Sequence, residues 1–247
     1  MNDIIITGAS KGIGKALAEY LSENNENRLY LIARNFDETE IKNSKIFNFD
    51  LSENTDIRDL MDDIFASINL KTSQRVVLIN NAGVLKPMAF SGNDKDHEIV
   101  NNISVNLIAP MLLTSNLIKK LKEFNGEKKV INISSGAGKS PYAGWSSYTA
   151  SKSAIDMFTK SVALEQKTLL NGVKIVSFAP GVVETDMQTE IRNSNKEDFP
   201  LVDRFVDLKN NNALLKPNIV AEAISNLIFN DFNNGDILDI RSMNWDI

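Results

Sequence analysis

The sequence has no cysteine and a single histidine, His97. Without cysteine the chain forms no disulfide, no thiolate metal site and no cysteine nucleophile, and one imidazole excludes any site that needs two. The lack of cysteine also suits a reducing compartment. We therefore predict a protein without a metal centre, whose chemistry uses neither a thiolate nor a pair of histidines.

Long apolar runs and an excess of positive charge are missing as well. No apolar stretch approaches the length of a membrane span, and the first residues read as a strand rather than a signal peptide. Acidic residues outnumber basic ones by 32 to 27, which gives a net charge of −5 and a pI near 5.1. This balance argues against nucleic acid or an anionic membrane as the main partner. We expect a cytoplasmic protein that acts on a small molecule.

What the chain does contain is a regular alternation of short apolar runs and segments with helical periodicity. Strands that are apolar on both faces and alternate with helices indicate a parallel sheet covered on both sides, the α/β class. The predicted strands are Ile4–Thr7, Arg28–Ala33, Lys45–Asp50, Val76–Asn80, Lys129–Ile133, Val173–Phe178 and Ile237–Ile240. The predicted helices are Ile13–Leu21, Ile57–Ile68, Asp96–Phe124, Ser146–Leu170 and Ile219–Phe229.

Two segments depart from this pattern. Pro110 lies inside the long helical region and predicts a kink there, because proline removes a helical hydrogen bond. Residues 185–217 form a long, polar and charged stretch between two core elements, which predicts a substrate loop or lid over a site. No linker, repeat or low-complexity stretch divides the chain, so we expect one domain over residues 1–247.

A glycine-rich loop joins the first strand to the first helix and contains Gly8, Gly12 and Gly14. Glycines here allow a tight turn, and the N–H groups of the helix N-terminus attract a pyrophosphate. The alternative to a phosphate-binding loop is an ordinary connection between a strand and a helix that binds no ligand. A Walker loop would need glycine at position 9 and serine or threonine at position 16, and alanine occupies both. A nucleophile elbow fails too, since Asn132 stands where it needs glycine and no histidine follows.

Two basic residues bear on the choice of dinucleotide. About 20 residues after the last glycine, an NAD site places an acid against the ribose 2′-hydroxyl, but here Ala33 and Arg34 end the second strand. A guanidinium binds the 2′-phosphate that a carboxylate would repel, and Lys11 adds a second cation. Either residue alone could be an ordinary surface charge, but together they favour NADP(H) over NAD(H).

A serine, a tyrosine and a lysine follow the fifth strand. Tyr148 and Lys152 are four residues apart, so on a helix their side chains share one face. A nearby ammonium favours phenolate, and we expect Lys152 to lower the pKa of Tyr148 from its usual value of about 10. Ser135, at the strand end, could donate its hydroxyl to a substrate oxygen, with Ser134 as its rival. Taken alone, such a pair is more often a half-buried ring beside a solvated amine.

Five motifs in order resemble the short-chain dehydrogenase/reductase family. They are Thr7-Gly8-x-x-x-Gly12-x-Gly14, Asn80-Asn81-Ala82-Gly83, Ser135, Tyr148-x-x-x-Lys152 and Pro180-Gly181. The resemblance covers the chain from its first strand to its last. It implies a single Rossmann-type, doubly wound domain with a seven-stranded parallel sheet and helices on both faces, in which hydride passes between a nicotinamide and a carbonyl or alcohol.

The resemblance also implies a role for each matching residue. Tyr148 would be the acid/base, Lys152 would lower its pKa and hold the nicotinamide ribose, and Ser135 would polarise the carbonyl. Asn106 matches the family's asparagine that holds a water beside the lysine, with an ordinary exposed asparagine as the alternative. The implied cofactor-binding residues are Gly8, Ser10, Lys11, Gly12, Ile13, Gly14, Arg34, Asp50, Leu51, Asn81, Ala82, Gly83, Tyr148, Lys152, Pro180, Gly181, Val183 and Thr185.

Within the family, residues 147–152 and 181–187 look most like the sepiapterin reductase and benzil reductase branch, which reduces α-dicarbonyl or side-chain keto groups with NADPH. Some members anchor a pterin through an Asp near the C-terminus, where this chain has Asp239; capping of local backbone is the other interpretation. The link from Arg34 to Ser44 is short where many relatives have a helix, which leaves the adenine side open. The predicted substrate walls are Leu85, Tyr142, Trp145 and Met187.

The sequence therefore predicts an NADPH-dependent carbonyl reductase. An NAD-linked alcohol dehydrogenase is one alternative. A catalytically silent NADP-binding regulator is another, because a fold alone does not imply activity. Relatives are dimers or tetramers through the helices that follow the fourth and fifth strands, so we expect a homo-oligomer.

Overall fold

The computed structural model describes residues 1–36 and 41–243, and its centre is one sheet of seven parallel strands. The strand order is β3-β2-β1-β4-β5-β6-β7, which confirms the predicted sheet, and the strand bounds lie within two residues of the predicted ones. The strands are β1 (Asn2–Thr7), β2 (Asn27–Ala33), β3 (Ser44–Asn48), β4 (Arg75–Asn80), β5 (Glu127–Ile133), β6 (Lys174–Ala179) and β7 (Ile237–Asp239).

Helices cover both faces of the sheet. On one face α1 and α8 pack against the sheet, and α2, α4 and α5 pack on the other. Ile4 and Ile6 of β1 point into the core beneath α1 and α8, and Ile5 points into the core beneath α2, α4 and α5. Both faces of the strand are buried, which explains its unbroken apolar run. The helices are α1 (Gly12–Ser22), α2 (Ile57–Ala66), α3 (Asp96–Ile103), α4 (Ala109–Lys120), α5 (Ser146–Lys167), α6 (Asp186–Arg192), α7 (Val202–Asn210) and α8 (Pro217–Phe229).

The strand order reverses between β1 and β4, and a crevice opens there beyond the carboxyl ends of the strands. The Thr7 hydroxyl ties the two strand ends together. It donates to the Ile79 carbonyl at 3.3 Å and accepts from the backbone N–H groups of Asn81 and Ala82, at 2.9 and 3.0 Å. These bonds fix the glycine loop against the segment that follows β4.

The long helical region differs from the prediction in where it is interrupted. The sequence suggested an interruption at Pro110. Instead a π-helical turn, Ser104–Ile108, separates α3 from α4, and Pro110 falls in the first turn of α4, a position that tolerates proline. The region also ends at Lys120 rather than Phe124, and α5 ends three residues before the predicted Leu170.

Residues 185–217 are not a loop throughout, because α6 and α7 both lie within them. In the link from Arg34 to Ser44, residues 34–36 and 41–43 are not helical, and residues 37–40 lie outside the described part of the chain. Among the helices of residues 1–36 and 41–243, none is both long and apolar enough to cross a bilayer.

Candidate active site

The glycine loop lies against the backbone that follows β4. Gly8 and Gly12 have positive φ angles of +65° and +56°, a region that favours glycine. A Cβ on Gly8 would lie 2.8 Å from the Cα of Ala82, and one on Gly14 would lie 2.3 Å from the Gly8 carbonyl oxygen. In the described structure no side chain caps α1. Its first N–H groups are therefore available to a phosphate.

Asn81 holds the other side of this crevice. Its side-chain amide donates to the carbonyl oxygens of Thr7 and Gly8, at 2.9 and 3.2 Å. The loop after β6 closes the crevice from a third direction, since a Cβ on Gly12 would lie 3.2 Å from Cγ2 of Thr185. The structure therefore brings the predicted Asn81–Gly83 and Pro180–Thr185 segments to the same glycine loop.

The predicted residues of the adenosine end lie at the ends of β2 and β3. Arg34 approaches Asp50 with Nη1 3.9 Å from Oδ2, and 66% of the Arg34 side chain is exposed. Asp50 also accepts hydrogen bonds from the backbone N–H and the hydroxyl of Ser52, while Leu51 is buried. Arg34 thus keeps donors free for an anion, although its charge is partly balanced by a carboxylate.

Ser135, Tyr148 and Lys152 come together at the end of β5. Lys152 Nζ lies 5.7 Å from the centre of the Tyr148 ring and donates to the Ile133 carbonyl oxygen at 2.8 Å. The Ser135 hydroxyl lies beside the Tyr148 phenol and favours its ionised form, and it accepts a hydrogen bond from the Ala137 N–H at 3.2 Å. Ser134 is buried, and its hydroxyl has no hydrogen-bond partner among the described residues. Of the two serines, Ser135 is therefore the one that the structure brings beside the phenol.

The electrostatics of this group differ from the prediction in one respect. We expected Lys152 to lower the pKa of Tyr148, but burial raises that pKa and the hydrogen bond from Ser135 opposes the rise only in part. Burial lowers the pKa of Lys152 to about 8, and the negative charge of Asp156 works in the opposite direction. The physical reason is that Lys152 points at the Ile133 carbonyl while the phenol is enclosed.

Asn106 is buried within the π-helical turn rather than exposed. Its side chain accepts from the Val84 N–H at 2.9 Å and donates to the Val84 carbonyl at 2.8 Å. A Cβ on Gly83 would lie 3.3 Å from Oδ1 of Asn106 and 3.8 Å from Nζ of Lys152. The absence of a side chain at Gly83 therefore leaves space between the asparagine and the lysine.

Asn102 supports Asn106, and the sequence analysis missed it. Asn106 donates to Oδ1 of Asn102 at 2.9 Å, and Ser151 donates to the same oxygen at 3.0 Å. The Asn102 amide in turn bonds the backbone carbonyls of residues 84–86. The available signal was the spacing of four between two asparagines in a predicted helix.

An apolar cluster encloses the Tyr148 ring and contains all four predicted wall residues, Leu85, Tyr142, Trp145 and Met187. Trp145 meets Tyr148 edge-on with ring centres 5.6 Å apart and stacks on Phe199 at 4.4 Å. The sequence analysis missed Phe199 and Phe205, which come from the predicted lid. The spacing of three between Phe199, Val202 and Phe205 was the signal that could have found them.

Asp239 is engaged by its own neighbours. Its Oδ1 accepts from the backbone N–H and Nε of Arg241, and its Oδ2 accepts from Nη2 at 2.6 Å, with Lys139 3.8 Å away. The hydrogen bonds from Arg241 hold the pKa of Asp239 at about 2. The second interpretation of the sequence, an aspartate that caps local backbone, describes this arrangement.

Comparison with known proteins gives a consistent picture. The family model for "short chain dehydrogenase" matches residues 2–196. The chain is 40% identical to a benzil reductase ((S)-benzoin forming) of Bacillus cereus, covering 97% of this chain and 99% of that protein. It is 32% identical to a sepiapterin reductase of Bos taurus, over 95% and 92% of the two chains. The crystal structure of the KRED1-Pglu enzyme superposes with a TM-score of 0.82 at 27% identity, covering 96% of this chain and all of that one.

Proposed function

The chain belongs to the short-chain dehydrogenase family and is an oxidoreductase, and from this premise we propose that it is an NADPH-dependent carbonyl reductase. The observation that carries the proposal is the enclosed group of Ser135, Tyr148 and Lys152 beside an open helix N-terminus. A proton donor and a dinucleotide site at the same end of the sheet, beyond the carboxyl ends of its strands, suit reduction of a ketone or an α-dicarbonyl.

The residues around the crevice fit an NADP cofactor. The N-terminus of α1 and the glycine loop would hold the pyrophosphate, and Asn81–Gly83 would lie beside the adenosine ribose. Arg34 would hold the 2′-phosphate, since its guanidinium is exposed and near the end of β2. When bound, the cofactor supplies hydride to the carbonyl carbon.

Tyr148 would donate the proton, and Ser135 and Lys152 would assist the transfer. Burial keeps the Tyr148 phenol protonated at neutral pH, which is the form that can donate to a carbonyl oxygen. Ser135 would orient that oxygen with its hydroxyl. The Lys152 ammonium would stabilise the phenolate left after proton transfer, because opposite charges attract strongly where water is excluded. The reaction therefore needs both Tyr148 and Lys152 protonated at its start.

The substrate class follows from the walls of the site. Aromatic and aliphatic side chains surround the Tyr148 ring, with Trp145, Phe199 and Phe205 in mutual contact. Such a lining favours flat, apolar carbonyl compounds. Relatives named benzil reductase and sepiapterin reductase support a ketone or α-dicarbonyl substrate.

The experiment is to measure NADPH oxidation with a panel of aryl diketones, aliphatic diketones and aldehydes. We expect turnover with at least one α-dicarbonyl, and its loss by roughly a hundredfold or more in Tyr148→Phe with NADPH affinity kept. Tight NADPH binding without turnover of any panel member would contradict the proposal and favour a cofactor-binding regulator.

We also propose that the protein is a homo-oligomer built through α4 and α5. Both regions expose large apolar side chains. Ile108 ends the π-helical turn and Met111 lies in the first turn of α4, and Met157 and Leu164 lie on α5 with 61% and 70% of their surfaces exposed. Apolar side chains grouped on two neighbouring helices are typical of a face that is covered in an assembly.

A further inference from the structure

A buried carboxylate lies one helical turn beyond Lys152 and has no part in the reaction as described so far. Asp156 is on α5, and 8% of its surface is exposed. Its Oδ1 accepts a hydrogen bond of 2.5 Å from the Ser177 hydroxyl on β6. Its Oδ2 faces Gly138, where a Cβ would come within 2.9 Å. The Ser177 hydrogen bond therefore fixes Oδ1, and Oδ2 occupies space that a side chain at position 138 would take.

Asp156 forms no ion pair within 4 Å in residues 1–36 and 41–243. Burying a charge without a direct partner destabilises a protein, and one hydrogen bond from a neutral hydroxyl offsets the cost only in part. Such a charge is therefore expected to act on something nearby. Tyr148 and Lys152 are the buried ionisable groups on the preceding turns of the same helix.

The other charged groups around Asp156 are less able to respond to it. Lys160 follows one turn later on α5 and is exposed to water. Lys139, on the loop after Ser135, is exposed and lies near Asp239. From β6 the facing side chain is Ser177, which is uncharged. Water screens the two exposed lysines, whereas Lys152 is enclosed and feels the carboxylate at low dielectric.

A nearby negative charge matters for Lys152 because burial disfavours the charged form of its side chain. Burial lowers the pKa of Lys152 to about 8, and Asp156 is the group that opposes this fall. The ammonium also has a fixed direction, since it donates to the Ile133 carbonyl at 2.8 Å. A lysine closer to losing its proton would stabilise the phenolate of Tyr148 less at neutral pH.

We propose that Asp156 is a positioning residue that acts through Lys152: its buried carboxylate, one helical turn away, favours the charged ammonium that the Ile133 carbonyl holds at the strand end where the carbonyl would be reduced. The inference rests on the proposed function for the reaction it serves. Ser177 fixes the carboxylate through its hydroxyl, and Gly138 leaves room for it.

The kinetic test uses Asp156→Asn, which keeps the size of the side chain and an oxygen for Ser177 but removes the charge. We expect the alkaline limb of the kcat/KM profile to move to lower pH by about one unit, so that activity on that limb falls about tenfold. Thr159→Val is the matched control, because Thr159 is fully buried on the same helix and carries no charge. Its alkaline limb should match that of the wild type.

A second measurement does not depend on turnover. Lysines labelled with ¹³C at Cε are titrated by NMR, and the Lys152 signal is identified by its loss in Lys152→Met. We expect its midpoint to fall by about one pH unit in Asp156→Asn, and in Asp156→Ser should the first variant not fold. An unchanged midpoint overturns the inference. Absence of wild-type turnover overturns the proposed function instead, so the two failures are separate.

Discussion

Ser134 and Ser135 are adjacent in sequence but have opposite surroundings. Ser135 is half-buried at the strand end and lies beside the Tyr148 phenol, whereas Ser134 is enclosed in the protein. The alternation of side chains along an extended backbone places only one of them at the crevice. Replacing each serine in turn by alanine therefore tests which of the two hydroxyl groups binds the substrate oxygen.

We expect Ser135→Ala to lower kcat by about a hundredfold or more, since a removed oxyanion donor costs on that order. Ser134→Ala should leave kcat within about threefold, because its hydroxyl has no partner to lose. Steady-state kinetics with NADPH and a diketone decide between them. Equal losses in the two variants would contradict the assignment of Ser135.

Arg34 gives a prediction about the cofactor. Arg34→Asp should raise the KM for NADPH about tenfold or more, because a charge-assisted bond to phosphate is replaced by repulsion. The KM for NADH should change little. Arg58→Asp on α2 is the control for a lost surface charge, since Arg58 is exposed and outside the crevice. Equal changes for the two cofactors would remove the reason for preferring NADP.

At this scale the sequence predicted which residues meet but not their electrostatics. Spacing placed Tyr148 and Lys152 on one helix face, because helix geometry is local, and the resemblance to a known family selected them as candidates together with Ser135. The Tyr148 pKa is raised by burial of the phenol, and the apolar cluster that contains Tyr148 includes Phe199 and Phe205, more than fifty positions along the chain. Burial of this kind arises from tertiary packing, which no local pattern encodes.

At the scale of elements, α6 and α7 complete the wall over the site. Glu184 joins them, since it lies near Arg192 of α6 and pairs with Lys209 of α7. Phe199, between the two helices, is fully buried and stacks on Trp145. The wall is thus a packed structure rather than an open loop.

Phe199→Ala should therefore weaken both stability and substrate binding. Removing a fully buried phenylalanine costs about 3–5 kcal/mol of unfolding free energy, measurable by urea denaturation. The KM for an aryl diketone should rise several-fold more than that for a small aliphatic one. Phe90→Ala is the control because Phe90 is partly exposed. A stable variant with unchanged substrate preference would show that Phe199 does not shape the site.

The helices also show where sequence patterns fail. Apolar periodicity placed α2 and α8 well, whereas Pro110 indicated an interruption that the structure has just before it, as the π-helical turn Ser104–Ile108. Asn106 in this turn is hydrogen-bonded to the backbone of Val84. These contacts join segments 22 residues apart, which a local pattern does not reveal.

At the scale of the whole molecule, the exposed faces of α4 and α5 predict an assembly. Light scattering at micromolar concentration should give a mass of a dimer or tetramer of the 27.5 kDa chain. Met157→Glu combined with Leu164→Glu should reduce that mass, because charges in an apolar interface are costly to bury. Tyr20→Glu, on the exposed side of α1, is the control. A monomeric wild type would contradict the proposal.

The residues proposed to react and the residues that line the substrate site lie in different segments of the chain. This separation bears on how substitutions would change the substrate specificity. Tyr148 and Lys152 share one rigid helix braced by the sheet, whereas Phe199 and Phe205 belong to a stretch that contributes no reacting group. If the proposed reaction is right, we expect substitutions in that stretch to change which carbonyl compound is accepted more than they change the proton donor, because Tyr148 and Lys152 are held by α5. We therefore expect new specificities to be most accessible through residues 187–205.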